Sequence, residues 1–387
     1  MVILVLTKNT DSKKNNGVIN MKKSLLALAI TATAAVPAYA STAISGGVWL
    51  NQQQTTEDTG AQGAEREGQT LGVTNSEALV LYIDHQQEDS AWQLSSEWRT
   101  GPGSFSDSAN NPTGDTSGFH KLWIGYNFSE DRKVYIGKSQ VPFGWATINF
   151  WPGDMGLGGY ADQLDVGIKF SDKINEISYD LAWYISDDFG ATSTDTMDDN
   201  GHWGSSTTYR KVNTGVANIG YDLNSSNTVG FSYQQGELQD LTGTQPNTDS
   251  TFGGHNAWDV WYKGTYGNMS LMAQVMGTQR DGLDKIAAGA DEVKTLRQAV
   301  SVSYAAGPFN YYVEYTGVST DTKGNKASDM VAFAPGVSYN YGPGWIYAEY
   351  LTQSNYLDGN ADVADAGNAA NDESKFSAMY LTIDYYF

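Results

Sequence analysis

The sequence predicts an all-β protein, a transmembrane antiparallel up-and-down β-barrel of sixteen strands, with fourteen or eighteen as the neighbouring counts. Three observations predict it. Apolar and polar residues alternate with a period of two along segment after segment, the connections between segments are alternately short and long, and aromatic residues recur at segment ends.

Composition narrows the remaining classes. The 387 residues carry 44 acidic and 23 basic side chains and no cysteine. Charged residues make up 17%, below the quarter usual in soluble domains, while Gly, Tyr and Trp number 42, 24 and 11. A mean hydropathy of -0.42 leaves no room for a bundle of membrane-spanning helices. Without cysteine there is neither a disulfide scaffold nor a thiolate-ligated metal centre. A net charge of -21 repels phosphate, so nucleic acid is not an expected partner.

The chain is read in three parts. Residues 1–20 have no pattern of their own and are expected to be an over-extended start, with Met21 the true first residue. Residues 21–40, MKKSLLALAITATAAVPAYA, have a basic start at Lys22 and Lys23, an apolar stretch from Leu25 to Val36 and an A-x-A site at Ala38-Tyr39-Ala40. That is the pattern of a secretory signal peptide cleaved near Ala40-Ser41. Residues 41–387 are expected to form the barrel. The leader region carries five Lys and one Asp, which leaves this part 43 acids and 18 bases, a net of -25.

Within 41–387 no useful length shows helical spacing. Alternation is clear at Leu164-x-Val166-x-Ile168-x-Phe170, Ile177-x-Tyr179-x-Leu181-x-Trp183-x-Ile185, Val229-x-Phe231-x-Tyr233, Phe309-x-Tyr311-x-Val313-x-Tyr315 and Met379-x-Leu381-x-Ile383-x-Tyr385-x-Phe387. The segments fall near 43–52, 77–86, 91–99, 119–128, 132–140, 162–171, 175–186, 209–222, 227–236, 256–266, 268–278, 294–305, 308–317, 329–341, 345–353 and 374–387. Tight turns are expected at Gln87–Ser90, Ser129–Asp131, Ser171–Ile174, Asn224–Ser226, Gly267, Ala306-Gly307 and Gly342–Gly344. Long polar stretches lie between them, so a meander puts every long loop at one end. Trp92 and Trp98, Tyr126 and Phe128, Trp258 and Tyr262, Tyr339 and Tyr341, and Tyr385 and Phe387 suit aromatic girdles at the two bilayer interfaces. A secreted β-sandwich is the soluble competitor, but here the charge gathers in the long stretches rather than on an outer face.

Residues 41–387 resemble the trimeric general porins of Gram-negative bacteria along their whole length. The closing run Leu381-Thr382-Ile383-Asp384-Tyr385-Tyr386-Phe387 looks like the C-terminal signature of such barrels, with Phe387 as its terminal residue. The resemblance implies the outer membrane, lipid and lipopolysaccharide around the barrel, the barrel-assembly machinery, and a homotrimer. It also implies a third long loop, after strand five, folded into the lumen. The matching stretch is Val141–Ala161, VPFGWATINFWPGDMGLGGYA, which lacks the acidic PEFGG-type motif of the enterobacterial members and has Asp154 as its main acid. The run Gly137–Gly144 is similar to the phosphate-selective branch, yet a net of -25 speaks against an anion path.

A barrel of this size leaves an aqueous channel, and passive diffusion of ions and small hydrophilic solutes is the expected function. The loop supplies Asp154 and Asp162 to the constriction. Alternation assigns Glu97, Arg99, Lys121, Asp165, Lys169, Asp180, Asp259, Lys263, Arg297, Glu314 and Glu349 to the inner wall, because their neighbours are mostly apolar. Acids outnumber bases in that set, and mild cation preference is the expectation. Trp145, Phe150, Trp151 and Tyr160 either anchor the loop or form an aromatic track in a sugar-specific channel. A structural or adhesive barrel plugged by its loops is the other alternative. The acid-rich runs Asp195–Gly201 and Asp358–Asp372 lack EF-hand spacing and read as solvated loop or as weak divalent bridges to lipopolysaccharide, so no metal site and no cofactor is assigned. Catalysis is not expected. Of His85, His120, His202 and His255 only His85 adjoins a carboxylate, Asp84, which points to the opposite strand face, and neither G-x-S-x-G nor H-E-x-x-H occurs.

Overall fold

Outward-facing side chains are apolar and inward-facing ones polar, the reverse of a soluble β protein. In a computed structural model, residues 41–58, 69–71, 77–88, 90–102, 115–144, 163–190, 209–240, 251–281, 292–322, 325–326, 330–354 and 375–387 are described. Sixteen long strands run through them. They are β1 (Ser41–Asp58), β2 (Glu77–Gln86), β3 (Trp92–Pro102), β4 (Asp115–Asn127), β5 (Lys133–Gln140), β6 (Leu164–Ile174), β7 (Ile177–Ser186) and β8 (Tyr209–Asn224) in the first half. The second half holds β9 (Asn227–Asp240), β10 (Thr251–Tyr266), β11 (Met269–Asp281), β12 (Glu292–Ala306), β13 (Phe309–Thr322), β14 (Met330–Asn340), β15 (Trp345–Ser354) and β16 (Lys375–Tyr386). Each pairs antiparallel with the next, and β1 pairs with both β2 and β16, which closes the sheet. Two short pieces, Gln69–Leu71 beside β1 and Asn325–Lys326 beside β13, extend strand ends without widening the ring.

Closure is complete at the turn end. The amide of Gly46 donates to the Phe387 carbonyl and the Phe387 amide to the Gly46 carbonyl, both at 2.9 Å. Among the described residues the ladder runs right round the ring at this end.

The faces follow the alternation. Leu181, Ile185, Ile219, Phe231, Leu296 and Leu381 stand outward and exposed. Ser232, Gln234, Asp259, Arg297 and Thr382 are fully buried on the other face. Such an outer surface is stable only in an apolar solvent. Near the short turns the outer rings gather: Trp92 meets Tyr126 edge-on at 4.9 Å, Tyr126 meets Phe128 at 5.0 Å, and Phe309 lies 4.9 Å from Tyr339. Rings with an apolar body and a polar tip favour that level.

Two expectations are corrected. The Ser171–Ile174 turn is strand, and β6 and β7 instead meet through Asn175-Glu176, with Asn175 at φ 55°. An Asn tolerates the left-handed region that a tight hairpin needs, so the ladder extends three residues further than the apolar pattern. Strand β1 runs on to Asp58 rather than ending near residue 52, because Thr55 and Asp58 continue the ladder with Ala378 and Phe376 of β16.

Candidate functional site: the barrel lumen

The chain leaves β5 toward the inside. Val141 and Phe143 are buried in one apolar cluster with Tyr184 of β7, Val216 of β8, Ala257 and Trp261 of β10, Met272 and Met276 of β11, and Ala299 of β12. All these wall residues belong to the polar-face register, so an apolar patch interrupts the inner wall where the segment docks. At Gly144 the amide donates to Ser232 Oγ of β9 at 3.1 Å. Its φ of 64° lies in the left-handed region, and a Cβ there would sit 2.7 Å from Asp259 Oδ2. Glycine is therefore required on both counts.

The far end of the same connection is fixed as well. The Val141 amide donates to the Gln163 carbonyl at 2.7 Å, Tyr184 Oη donates to the Gln140 carbonyl at 3.0 Å, and Lys169 Nζ donates to it at 2.9 Å. Lys211 of β8 reaches Gln163 Oε1 and lies 3.2 Å from Asp165 Oδ2. Both ends of the 145–162 stretch are thus tied to the β7–β11 side of the wall. Trp145, Phe150, Trp151, Asp154, Tyr160 and Asp162 themselves lie outside the described residues.

Of the wall residues named from alternation, Glu97, Arg99, Asp165, Asp259, Arg297, Glu314 and Glu349 are buried, and Lys121, Lys169, Asp180 and Lys263 are half-buried. Glu97 holds Arg99 at 2.6 Å, and the Arg99 guanidinium stacks 4.9 Å from the Trp49 ring centre. Lys121 is the β4 partner of Glu97, next to a register shift that buries His120 as well. Lys169 lies over the Tyr135 ring, and Asp180 accepts from Ser171 Oγ at 2.6 Å and from Asn218 Nδ2 at 3.2 Å. Lys263 lies over Trp261, Arg297 Nε donates to Thr295 Oγ1 at 3.1 Å, and Glu314 is buried.

Four further bases were not assigned inward by alternation, namely Lys138, Arg210, Lys211 and Arg280, all buried. Three are matched by acids at the loop end: Lys138 with Asp188 at 3.1 Å, Arg210 with Asp187 at 3.7 Å, and Lys211 with Asp165. The other side of the wall differs. Glu314, Glu349 and Asp384 face inward there, and among the described inward residues of β13–β16 none is Lys or Arg. The lumen therefore has one acidic side between Arg297 and Arg99.

Tyr312 spans this acidic side. Its ring crosses Gly336 of β14, and its hydroxyl donates to Glu349 Oε1 of β15 at 2.7 Å. An added Cβ on Gly336 would lie 2.3 Å from Tyr312 Cε2. Gly336→Ala is expected to displace the ring and cost about 1–3 kcal/mol. A denaturation midpoint in detergent checks it, and Tyr312→Phe should reproduce only the hydrogen-bond share of the loss.

Neither a protein-family model nor a curated protein sequence matches the chain. Solved structures do match over nine-tenths of its length. The trimer form of OmpT, an outer membrane protein of Vibrio cholerae, aligns with a TM-score of 0.59 at 14% identity, covering 90% of this chain and 99% of that one. The chain has the porin fold. The outer membrane channel DcaP of Acinetobacter baumannii aligns at 0.60 and 10% identity over 90% and 97% of the two chains. An anion-selective porin from Comamonas acidovorans aligns at 0.57 and 12% over 90% and 100%. At such identities the shared feature is the fold.

Proposed function

We propose that the chain is an outer-membrane diffusion channel for ions and small hydrophilic solutes, exported by the leader at 21–40. The observation that carries this reading is the closed sixteen-strand ring with an apolar outside, a charged inside and a segment turned inward after β5. A ring of that size is too wide for side chains to fill. The acidic side of Glu314, Glu349 and Asp384 faces a wall richer in Lys and Arg, which sets a transverse field across the lumen, and acid in the long connections adds the mild cation preference of this reading. Surrounding lipid and lipopolysaccharide, assembly through the C-terminal Phe387, and a homotrimer belong to the same reading. OmpT has been seen as a trimer, which supports the last of these.

The test is current through the refolded protein in a planar bilayer under a salt gradient. Stepwise conductance in groups of three, with a reversal potential of cation-selective sign, is the expected outcome. A barrel that inserts and stays silent would overturn the channel reading in favour of a plugged barrel. Block of the current by added sugars would make it a substrate-specific one.

A further inference from the structure

At the foot of the inward segment the wall presents buried oxygen atoms that no donor satisfies. Asp259 of β10 is wholly buried, and neither carboxylate oxygen accepts a hydrogen bond. Gln274 of β11 is buried with Oε1 unbonded, and Gln234 of β9 is wholly buried with both amide atoms unbonded. The register brings the three strands together here, because Ser232, the inward neighbour of Gln234, pairs with Asp259, and Gln274 pairs with Trp261. Asp259 Oδ2 and Gln274 Oε1 flank one point, lying 2.7 and 3.2 Å from the place a Gly144 Cβ would take. The Gly144 amide cannot help, since it is already spent on Ser232 Oγ. The nearby base, Lys263, lies over the Trp261 ring, 5.3 Å from its centre, and forms no salt bridge with the carboxylate.

A carboxylate removed from water without donors is unstable unless a positive charge reaches it. The surrounding groups choose the kind of charge. They are oxygen donors without thiolate or imidazole, which suits a hard cation. One formal negative charge with a lysine in the neighbourhood disfavours a divalent ion, which needs more carboxylates to offset its dehydration. We propose that Asp259 and Gln274 form a binding site for a monovalent alkali cation, seated where the chain turns inward at Gly144. On the channel reading, the site makes Asp259 a residue that favours cations where the chain turns inward at Gly144. Only its electrical consequence rests on the channel reading.

Two measurements separate the inference from that reading. Crystals of the whole protein equilibrated in rubidium chloride should show an anomalous peak in contact with the Asp259 carboxylate, and Asp259→Asn should abolish it. In bilayers, Asp259→Asn should lower the cation-to-anion permeability ratio by about twofold or more, and Gln274→Leu, which keeps the charge, should lower it less. A rubidium peak in a protein that carries no current would keep the site and overturn the channel. A conducting protein without the peak, whose selectivity Asp259→Asn leaves unchanged, would overturn the site. Selectivity that follows pH but not the identity of the alkali ion would also overturn it, because a proton would then hold the carboxylate.

Discussion

Phe143→Ala is expected to enlarge the pore while leaving the barrel standing. Phe143 is 4% exposed and sits in the apolar patch formed by Trp261, Met272, Met276 and their neighbours. Truncating a buried phenylalanine costs about 3–5 kcal/mol. Here the loss does not fall on the sheet, because the β5–β6 ladder ends at the Gln140–Leu164 pair and Phe143 lies beyond it. It falls on the docking of the segment against the wall. With every 1.4 kcal/mol worth roughly a factor of ten, the docked state loses two to three orders of magnitude against the undocked one. What remains described is Val141 in the same cluster and the Gly144–Ser232 hydrogen bond, the latter worth about 1 kcal/mol net. Unit conductance should rise by roughly a half or more, and larger polymers should enter the pore. Phe333→Ala, on the outer face of β14, serves as the control and should change neither. A variant whose conductance and polymer cut-off match the unmodified protein would show that the segment does not narrow the path.

That docking site marks where sequence reading stops. Alternation gives the strands because each has an apolar outward face and a polar inward one. It gives Asp259 and Lys263 because Trp258, Val260 and Tyr262 surround them with apolar outward neighbours. The same logic misses the patch under Phe143, although a signal exists. The run Leu271–Met276 reads LMAQVM and is apolar on both faces, which in a water-filled barrel calls for an inner cover.

The missed bases have a different cause. Arg210 and Lys211 are adjacent and both buried, beyond the point where the pairing of β8 with β9 slips between Gln235 and Glu237, near Asn213 at φ 50°. A bulge of this kind shifts the phase of the alternation, and parity counted from the membrane zone no longer applies above it. Lys138 is buried against Asp188 although β5 keeps an unbroken register with both neighbours through Gly137. Arg280 stands between Gln279 and Asp281, so no apolar neighbour reports its face. Acids such as Asp187 and Asp188 read as loop charge, whereas their role is to neutralise these bases. Part of the excess of acid in the sequence is therefore spent on pairing these buried bases.

Lys211→Met carries the largest expected loss of stability. Lys211 is 2% exposed and Asp165 1%, so their pairing at 3.2 Å is shielded from water. Removing one partner of a buried pair costs about 3–5 kcal/mol, because the remaining charge stays desolvated without its counter-ion. The damage concentrates at the far end of the inward stretch, where Lys211 also holds Gln163. Two companions give the prediction its sign. Asp165→Leu on the Lys211→Met background removes the stranded carboxylate and should restore most of the stability, since an apolar pair of similar volume replaces an ion pair at little cost. Lys211→Arg keeps the charge and should fall between the two. Urea midpoints of the refolded barrel in phospholipid vesicles measure all three. Electrical recording adds an independent sign, because an Asp165 without its ammonium makes the lumen more attractive to cations. If the double variant is no more stable than Lys211→Met alone, the cost lies in packing rather than in the uncompensated charge, and the loop-end pairs cannot be what fixes the inward stretch to the wall.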